Sequence, residues 1–274
     1  MTFRTVELHP LLMLVGVVAY IFGWFVELLS LFTLVLIHEL GHVVTAKLLG
    51  WHITKIVIWP FGGVMETSDY YNRPFKEEWF VTIAGPLQHI WLYGLIALLS
   101  HVISQPTLIT IWYMMNTAIL CVNLLPIQPL DGGRLLALVL FRWLSFYRVL
   151  IIMVWFSIVL IVGINAILWT SQVYSLHWLI LSLFLLLDNW FLWRQRQRFL
   201  LKHLLGRYLQ ETDQEMAVNL LTLPVDQSID QVVKRFKRFN YHYVYFDNGM
   251  MLSESDCLRG LFTRFNKHEL KMTE

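Results

Sequence analysis

The sequence predicts a polytopic α-helical membrane protein with six transmembrane helices, a small β-hairpin at the membrane surface and a C-terminal α+β domain in the cytoplasm. Three observations carry that prediction. Of 274 residues, 57% are hydrophobic and only 15% charged, where soluble domains are roughly one quarter charged. Six stretches, at roughly 10–28, 29–49, 79–101, 107–125, 147–170 and 173–193, approach or reach the ~20 apolar residues that a crossing helix needs. The charges crowd one end, with residues 194–274 holding 23 of the 40 Lys, Arg, Asp and Glu side chains. Together these exclude a simple soluble enzyme, a disordered chain and a disulfide scaffold. The net charge of +2 gives no nucleic-acid footprint, and the only two cysteines, Cys121 and Cys257, make no disulfide framework.

The elements follow in order. The N-terminal segment lacks a strong basic region and a small-residue cleavage site, so the first apolar run reads as a retained span rather than a signal peptide. It meets the second span in a tight turn near Glu27. In loop 50–78, the β-branched stretch Trp51–Trp59, the punctuation Pro60-Phe61-Gly62-Gly63 and the return Val64–Thr67 predict the hairpin. The segment 132–145 is apolar but short and carries Arg134 and Arg142, which predicts an interfacial or re-entrant helix. Connections after the first, third and fifth spans contain no Lys or Arg. Those after the second and fourth contain Lys55, Arg73, Lys76, Arg134 and Arg142, and the sixth span ends in Arg194, Arg196, Arg198 and Lys202. The positive-inside rule then puts both termini in the cytoplasm.

The chemistry sits in the second span, in His38-Glu39-Leu40-Gly41-His42. A spacing of four stacks the two imidazoles one turn apart on one helical face, where they can share a zinc ion, and the intervening glutamate can reach its water. Polar groups are costly inside an apolar run unless they have a partner or a role. A catalytic zinc takes three protein ligands and leaves one position open. The best third candidate is Asp131, which follows the fourth span in Asn123-Leu124-Leu125-Pro126-Ile127-Gln128-Pro129-Leu130-Asp131-Gly132-Gly133. The prolines break the helix there and the glycines permit a return. His89, early in the third span, reads mainly as a hydrogen-bonded buried histidine, with a fourth ligand or substrate contact as the alternative.

HELGH in a span, Ala84-Gly85-Pro86 opening another, and Pro129-Leu130-Asp131-Gly132-Gly133 after an Asn resemble the site-2 protease family of intramembrane zinc metalloproteases. Pro60–Gly63, Asn72-Arg73-Pro74, Lys76-Glu77-Glu78 and Ile83–Trp91 resemble its bacterial sporulation branch. The resemblance implies one zinc on His38, His42 and Asp131, Glu39 as catalytic acid/base, and substrate placement by the stretch from Asn123 to Pro129. Asn123 is also a hypothetical second donor to the oxyanion. The implied substrate is a precursor like pro-sigma-K, with membrane inhibitors resembling the sporulation proteins FA and BofA. The implied location is the mother-cell membrane surrounding the forespore.

Three domains are expected: the protease at 1–193, a basic linker helix at 194–206 and a cytoplasmic domain at 207–274. The tail reads as Leu221–Val225, a helix from Ser228 to Asn240, the strand Tyr241–Phe246, a turn, and a helix from Ser253 to Phe265. That order resembles one copy of a cystathionine-beta-synthase (CBS) module, which implies ATP binding and a homo-oligomer, since such modules pair. The basic residues Lys234, Arg235, Lys237 and Arg238 offer either a phosphate dock or a solvated face. Two alternatives stay open: a site-2-type protease with a different substrate, and a metal transporter using the His/Asp cluster. Only one HExxH is present, whereas transporters often repeat their halves.

Overall fold

The computed structural model describes residues 6–8, 10–59, 62–67, 72–173, 175–209 and 217–270. Pro60 and Phe61 of the predicted turn lie outside them. The described residues form two compact units: residues 1–126 with 130–135, and residues 127–129 with 136–274.

The first unit holds strand β1 (Val6–Leu8), helices α1 (Pro10–Ile21) and α2 (Phe25–Leu48), strands β2 (Ile53–Trp59) and β3 (Gly62–Thr67), and helices α3 (Phe75–Leu99) and α4 (Pro106–Leu124). Helix α5 (Asp131–Leu140) starts in it. The predicted hairpin is present as β2 antiparallel to β3, with Ile56 opposite Met65 and Ile58 opposite Gly63. A third strand joins it, β1 running parallel to β2 with Val6 opposite Ile56.

Among the described residues, five helices are long and apolar enough to cross a membrane: α2, α3, α4, α6 (Phe146–Thr170) and α7 (Leu176–Leu209). The stretch expected as the first span divides differently. Helix α1 has only 12 residues, about 18 Å against the ~30 Å of a hydrocarbon core. The break falls at Gly23 rather than near Glu27. Gly23 has φ +76, its N–H donates to the Tyr20 carbonyl (3.2 Å), and the Trp24 N–H donates to the Ala19 carbonyl (2.8 Å). This pair of bonds closes a helix with a left-handed glycine. Helix α2 ends the same way at Gly50 (φ +73): Gly50 N–H donates to Lys47 O and Trp51 N–H to Ala46 O, each at 2.9 Å. The second closure tucks Trp51 against Ala46 and Val81, all buried, and so fastens the end of α2 to α3.

Packing between α2 and α3 is close because glycines face the partner helix. A Cβ on Gly41 would stand 2.6 Å from the Ala84 carbonyl oxygen, too near for any side chain. Helix α3 starts after Pro74, with Glu77 and Glu78 in its first turn to complement the helix dipole. Helix α4 opens on Pro106 and ends as Leu125 turns extended before Pro126. A Cβ on Gly132 would lie 2.5 Å from the Leu124 carbonyl carbon and overlap its oxygen. Glycine at 132 is therefore what lets the first turn of α5 return against the end of α4.

The second unit contains α6, α7 and the tail strands and helices. Helix α7 runs 34 residues without interruption, so the stretch expected as a linker helix is the continuation of the last apolar helix. The tail is β4 (Ala217–Leu223), α8 (Ile229–Val233), β5 (Asn240–Phe246), β6 (Met251–Ser253) and α9 (Glu254–Leu270). β4 lies parallel to β5 and β6 antiparallel to it. The helix expected over Ser228–Asn240 stops at Val233, because the next residues are engaged elsewhere. Phe236 is buried and stacks on His242 (4.7 Å between centroids). Its carbonyl accepts from Phe146 N–H (3.0 Å), and Lys237 N–H donates to His242 Nε2 (2.9 Å). The basic run there is partly used internally. Arg238 is 4% exposed and lies over the Phe239 ring, and Lys234 lies over Tyr147.

Glu254 is the hub of the tail. It is 2% exposed and accepts from Arg207 Nε (2.7 Å), from the His242 backbone N–H (3.0 Å) and through His242 Nδ1 (2.8 Å). Arg207 also donates to the carbonyls of Lys237 and Asn240, so the end of α7 is tied to β5 by one guanidinium. Removing one partner of a buried pair strands the other charge, at about 3–5 kcal/mol. Arg207→Met should therefore unfold the tail at lower temperature. Cys257 reports this without a label elsewhere in the tail: it is buried, and burial pushes its thiol up to about 11. In the native protein it should resist alkylation at neutral pH, and Arg207→Met should expose it at temperatures where the wild type stays protected. Equal protection in both would refute the hub.

Candidate metal centre and active site

Helix α2 presents His38 and His42 one turn apart, and the start of α5 brings Asp131 to them. His38 Nε2 and His42 Nε2 lie 3.2 Å apart. Asp131 Oδ2 lies 3.1 Å from the first and 3.2 Å from the second. The three side chains are 3%, 6% and 4% exposed. Among the described residues this is the cluster of His, Cys, Asp and Glu whose ligand atoms converge closely enough for a metal ion.

The donor set fits a cation. The His42 Nδ1–H donates to the Val81 carbonyl at 2.7 Å, which leaves Nε2 as a lone pair facing the carboxylate. Asp131 Oδ2 is buried with no hydrogen-bond donor. A lone-pair nitrogen and a carboxylate oxygen at van der Waals separation repel unless a positive charge lies between them. Tetrahedral N and O ligands about 2.0–2.1 Å from zinc stand about 3.3 Å apart, close to the three separations found. Val81 lies on α3 one residue before Thr82, whose carbonyl is the one left without an i+4 amide by Pro86.

Glu39 is half-buried on the same helix and interacts electrostatically with His42. Gly85 packs directly beneath the two rings: a Cβ there would overlap His42 Nε2 and lie 2.8 Å from His38 Cε1. Asn123 is half-buried near the end of α4, its Nδ2 donating to the Ile119 carbonyl at 3.0 Å. Pro129 follows a cis peptide at Gln128. Gln128 is held from two sides, its N–H donating to Ser157 Oγ (2.8 Å) and its carbonyl accepting from Asn189 Nδ2 (2.6 Å). His52, His101 and His177 are exposed.

His89 is the hydrogen-bonded buried histidine that the sequence predicts, whereas its partner Asn116 escaped the sequence reading. His89 is fully buried with Nε2 3.1 Å from His38 Nδ1, a neighbour of the cluster rather than a member of it. Asn116, on α4, is fully buried and contacts His89 Nδ1 through Oδ1 (2.7 Å). A lone Asn in one apolar span and a lone His in another was the available signal, because such groups in a membrane seek each other.

A buried His/His/Asp triangle on a HExxH helix among membrane-length helices defines a membrane-embedded metallopeptidase. The comparisons with known proteins agree. Residues 26–108 match the model of peptidase family M50. Over 266 residues, 92% of this chain and 88% of the relative, the sequence is 34% identical to Stage IV sporulation protein FB of Bacillus subtilis. A zinc metalloprotease of Methanocaldococcus jannaschii is 35% identical over 123 residues, 43% of this chain and 35% of that protein. The fold matches a site-2 protease from the same archaeon with a TM-score of 0.53 and 27% identity, covering 67% of this chain and 88% of that one. The chain belongs to peptidase family M50, the site-2 proteases, and is an integral-membrane zinc metalloprotease.

Proposed function

We propose that this protease cleaves a membrane-associated precursor near the cytoplasmic face, with His38, His42 and Asp131 as its zinc ligands and Glu39 as its acid/base. The observation that carries the ligand assignment is the buried triangle whose inward atoms include a lone-pair nitrogen and an undonated carboxylate oxygen. Zinc held there supplies Lewis-acid polarisation of the scissile carbonyl and makes water acidic enough to deprotonate near neutral pH. Glu39 accepts the proton of the attacking water and passes it to the leaving amine. Val81 holds His42 in orientation through Nδ1. Asn123 and Pro129 help to place the substrate. In the structure Asn123 Nδ2 gives one of its two N–H groups to Ile119, which leaves the second for a role at the oxyanion.

The substrate class is a precursor like pro-sigma-K, in the mother-cell membrane surrounding the forespore, with inhibitors resembling the sporulation proteins FA and BofA. What supports it is the similarity, along nearly the whole chain, to a protein named for a stage of sporulation. We read residues 1–193 as the protease domain, 194–206 as a helical connection and 207–274 as a CBS-like regulatory domain that binds ATP and pairs with another copy. The β-α-β-β-α order supports the last reading. Six crossings with cytoplasmic termini are the reading favoured by the placing of Lys and Arg in alternate connections.

The test is co-expression with a sigma-factor precursor. Wild type should shorten it, and Asp131→Asn should leave it intact. A precursor shortened equally by both would overturn the ligand assignment. Zinc transport by the wild type without any proteolysis would favour the transporter.

A further inference from the structure

We infer that Asn116 and His89 form a positioning relay that sets the tautomer of His38, so that its Nε2 presents a lone pair to the metal. The inference rests on the reading of His38 as a ligand. The protons can be followed from the outside inwards. Asn116 Nδ2 donates to the His89 backbone carbonyl at 3.1 Å. With its nitrogen so placed, Asn116 turns Oδ1 to the His89 ring, and the 2.7 Å contact to Nδ1 requires the proton on Nδ1. Neutral His89 then carries its lone pair on Nε2. At 3.1 Å from His38 Nδ1, that lone pair accepts the His38 Nδ1–H. His38 is left with its lone pair on Nε2, 3.1 Å from Asp131 Oδ2.

Each link is buried. His89 and Asn116 are both 0% exposed, so no bulk water competes for their bonds. The two metal-facing imidazoles are thus oriented by different means. His42 uses a backbone carbonyl, which can only accept. His38 uses another imidazole, which can accept or donate, and so needs a further residue to decide between them. Asn116 makes that decision from α4, a third helix, and thereby ties α4 to the metal site through α3. Partners of this kind typically alter metal affinity by about 10–100-fold when removed.

The experiment uses the full chain purified in detergent, with zinc affinity read by chelator competition and geometry read from the visible bands of the cobalt(II) form. His89→Gln and His89→Met are nearly equal in length, but only glutamine carries both an amide N–H that can donate to Asn116 Oδ1 and an oxygen facing His38. Only glutamine can still accept from His38 Nδ1. His89→Met should bind zinc about 10–100-fold more weakly than wild type, with weakened cobalt bands. His89→Gln should stay within about threefold of wild type, while the metal-free thermal midpoints of the two variants coincide. Equal loss in both, or wild-type affinity in His89→Met, would overturn the relay. If His89→Met fails to fold, Asn116→Leu tests the outer link: weaker zinc binding supports it and unchanged binding overturns it. His38→Ala separates the two readings. Zinc retained by that variant refutes the ligand assignment itself, whereas zinc lost there but kept in His89→Met refutes the relay alone.

Discussion

Glu39→Gln is expected to abolish precursor cleavage while leaving zinc stoichiometry and folding intact. Glutamine matches glutamate in shape, so the half-buried position on α2 should keep its packing. It cannot accept a proton at neutral pH, so neither the deprotonation of water nor the protonation of the leaving amine has a carrier. Removing a positioned general acid/base typically costs on the order of 10²–10⁴-fold, and here one residue serves both steps. His38, His42 and Asp131 are untouched by the change, since their inward atoms form the triangle without Glu39. The measurement is therefore double: product from a co-expressed precursor, and zinc per chain in the purified variant. Cleavage at the wild-type rate would refute the assignment. Lost cleavage with lost zinc would show that Glu39 supports the cluster structurally instead.

Much of this arrangement was legible in the residues themselves. The spacing of His38 and His42 fixes their shared face because helix geometry has few exceptions inside an apolar run. Asp131 was reachable because two prolines and two glycines advertise a broken, returning backbone. The helices of the third, fourth and fifth expected spans start within about four residues of the expected positions, since Pro74, Pro106 and Ser145 bound them sharply. What escaped was non-local. Three residues at Val6–Leu8 carry no period, and their partner strand lies some fifty residues away. The break at Gly23 hid within continuous apolar sequence, because a left-handed closure needs one glycine and no polar residue. Helix α8 looked longer than it is, since nothing local shows that Phe236 and Lys237 are bonded to distant partners. Asn116 stands alone in its apolar span, and only the fold brings it into line with His89 and His38.

The second large effect concerns a residue that offers no ligand at all. Gly85→Ala is expected to cost the protein both its zinc and its activity. The added methyl would overlap His42 Nε2 and lie 2.5 Å from His42 Cε1 and 2.8 Å from His38 Cε1. Real carbon contacts do not reach these distances, so something must move. His42 cannot swing freely, because Nδ1 is bonded to Val81 at 2.7 Å on the same helix that carries the new methyl. The helices cannot part cheaply either, because Trp51, Ala46 and Val81 are packed across the same contact. Overpacking of this kind costs about 1–3 kcal/mol in stability, and a displacement of ~1 Å at a reacting centre can cost about 10²-fold in rate. Gly94 on the same helix is the control: a Cβ there meets nothing within 4 Å, so Gly94→Ala should cleave and bind zinc as wild type does. The expected reading is near-absent zinc after dialysis against a chelator in Gly85→Ala, and full zinc in Gly94→Ala. Stoichiometric zinc and wild-type cleavage in Gly85→Ala would mean that α2 and α3 can separate without cost, and that their close approach does not hold the two histidines in place.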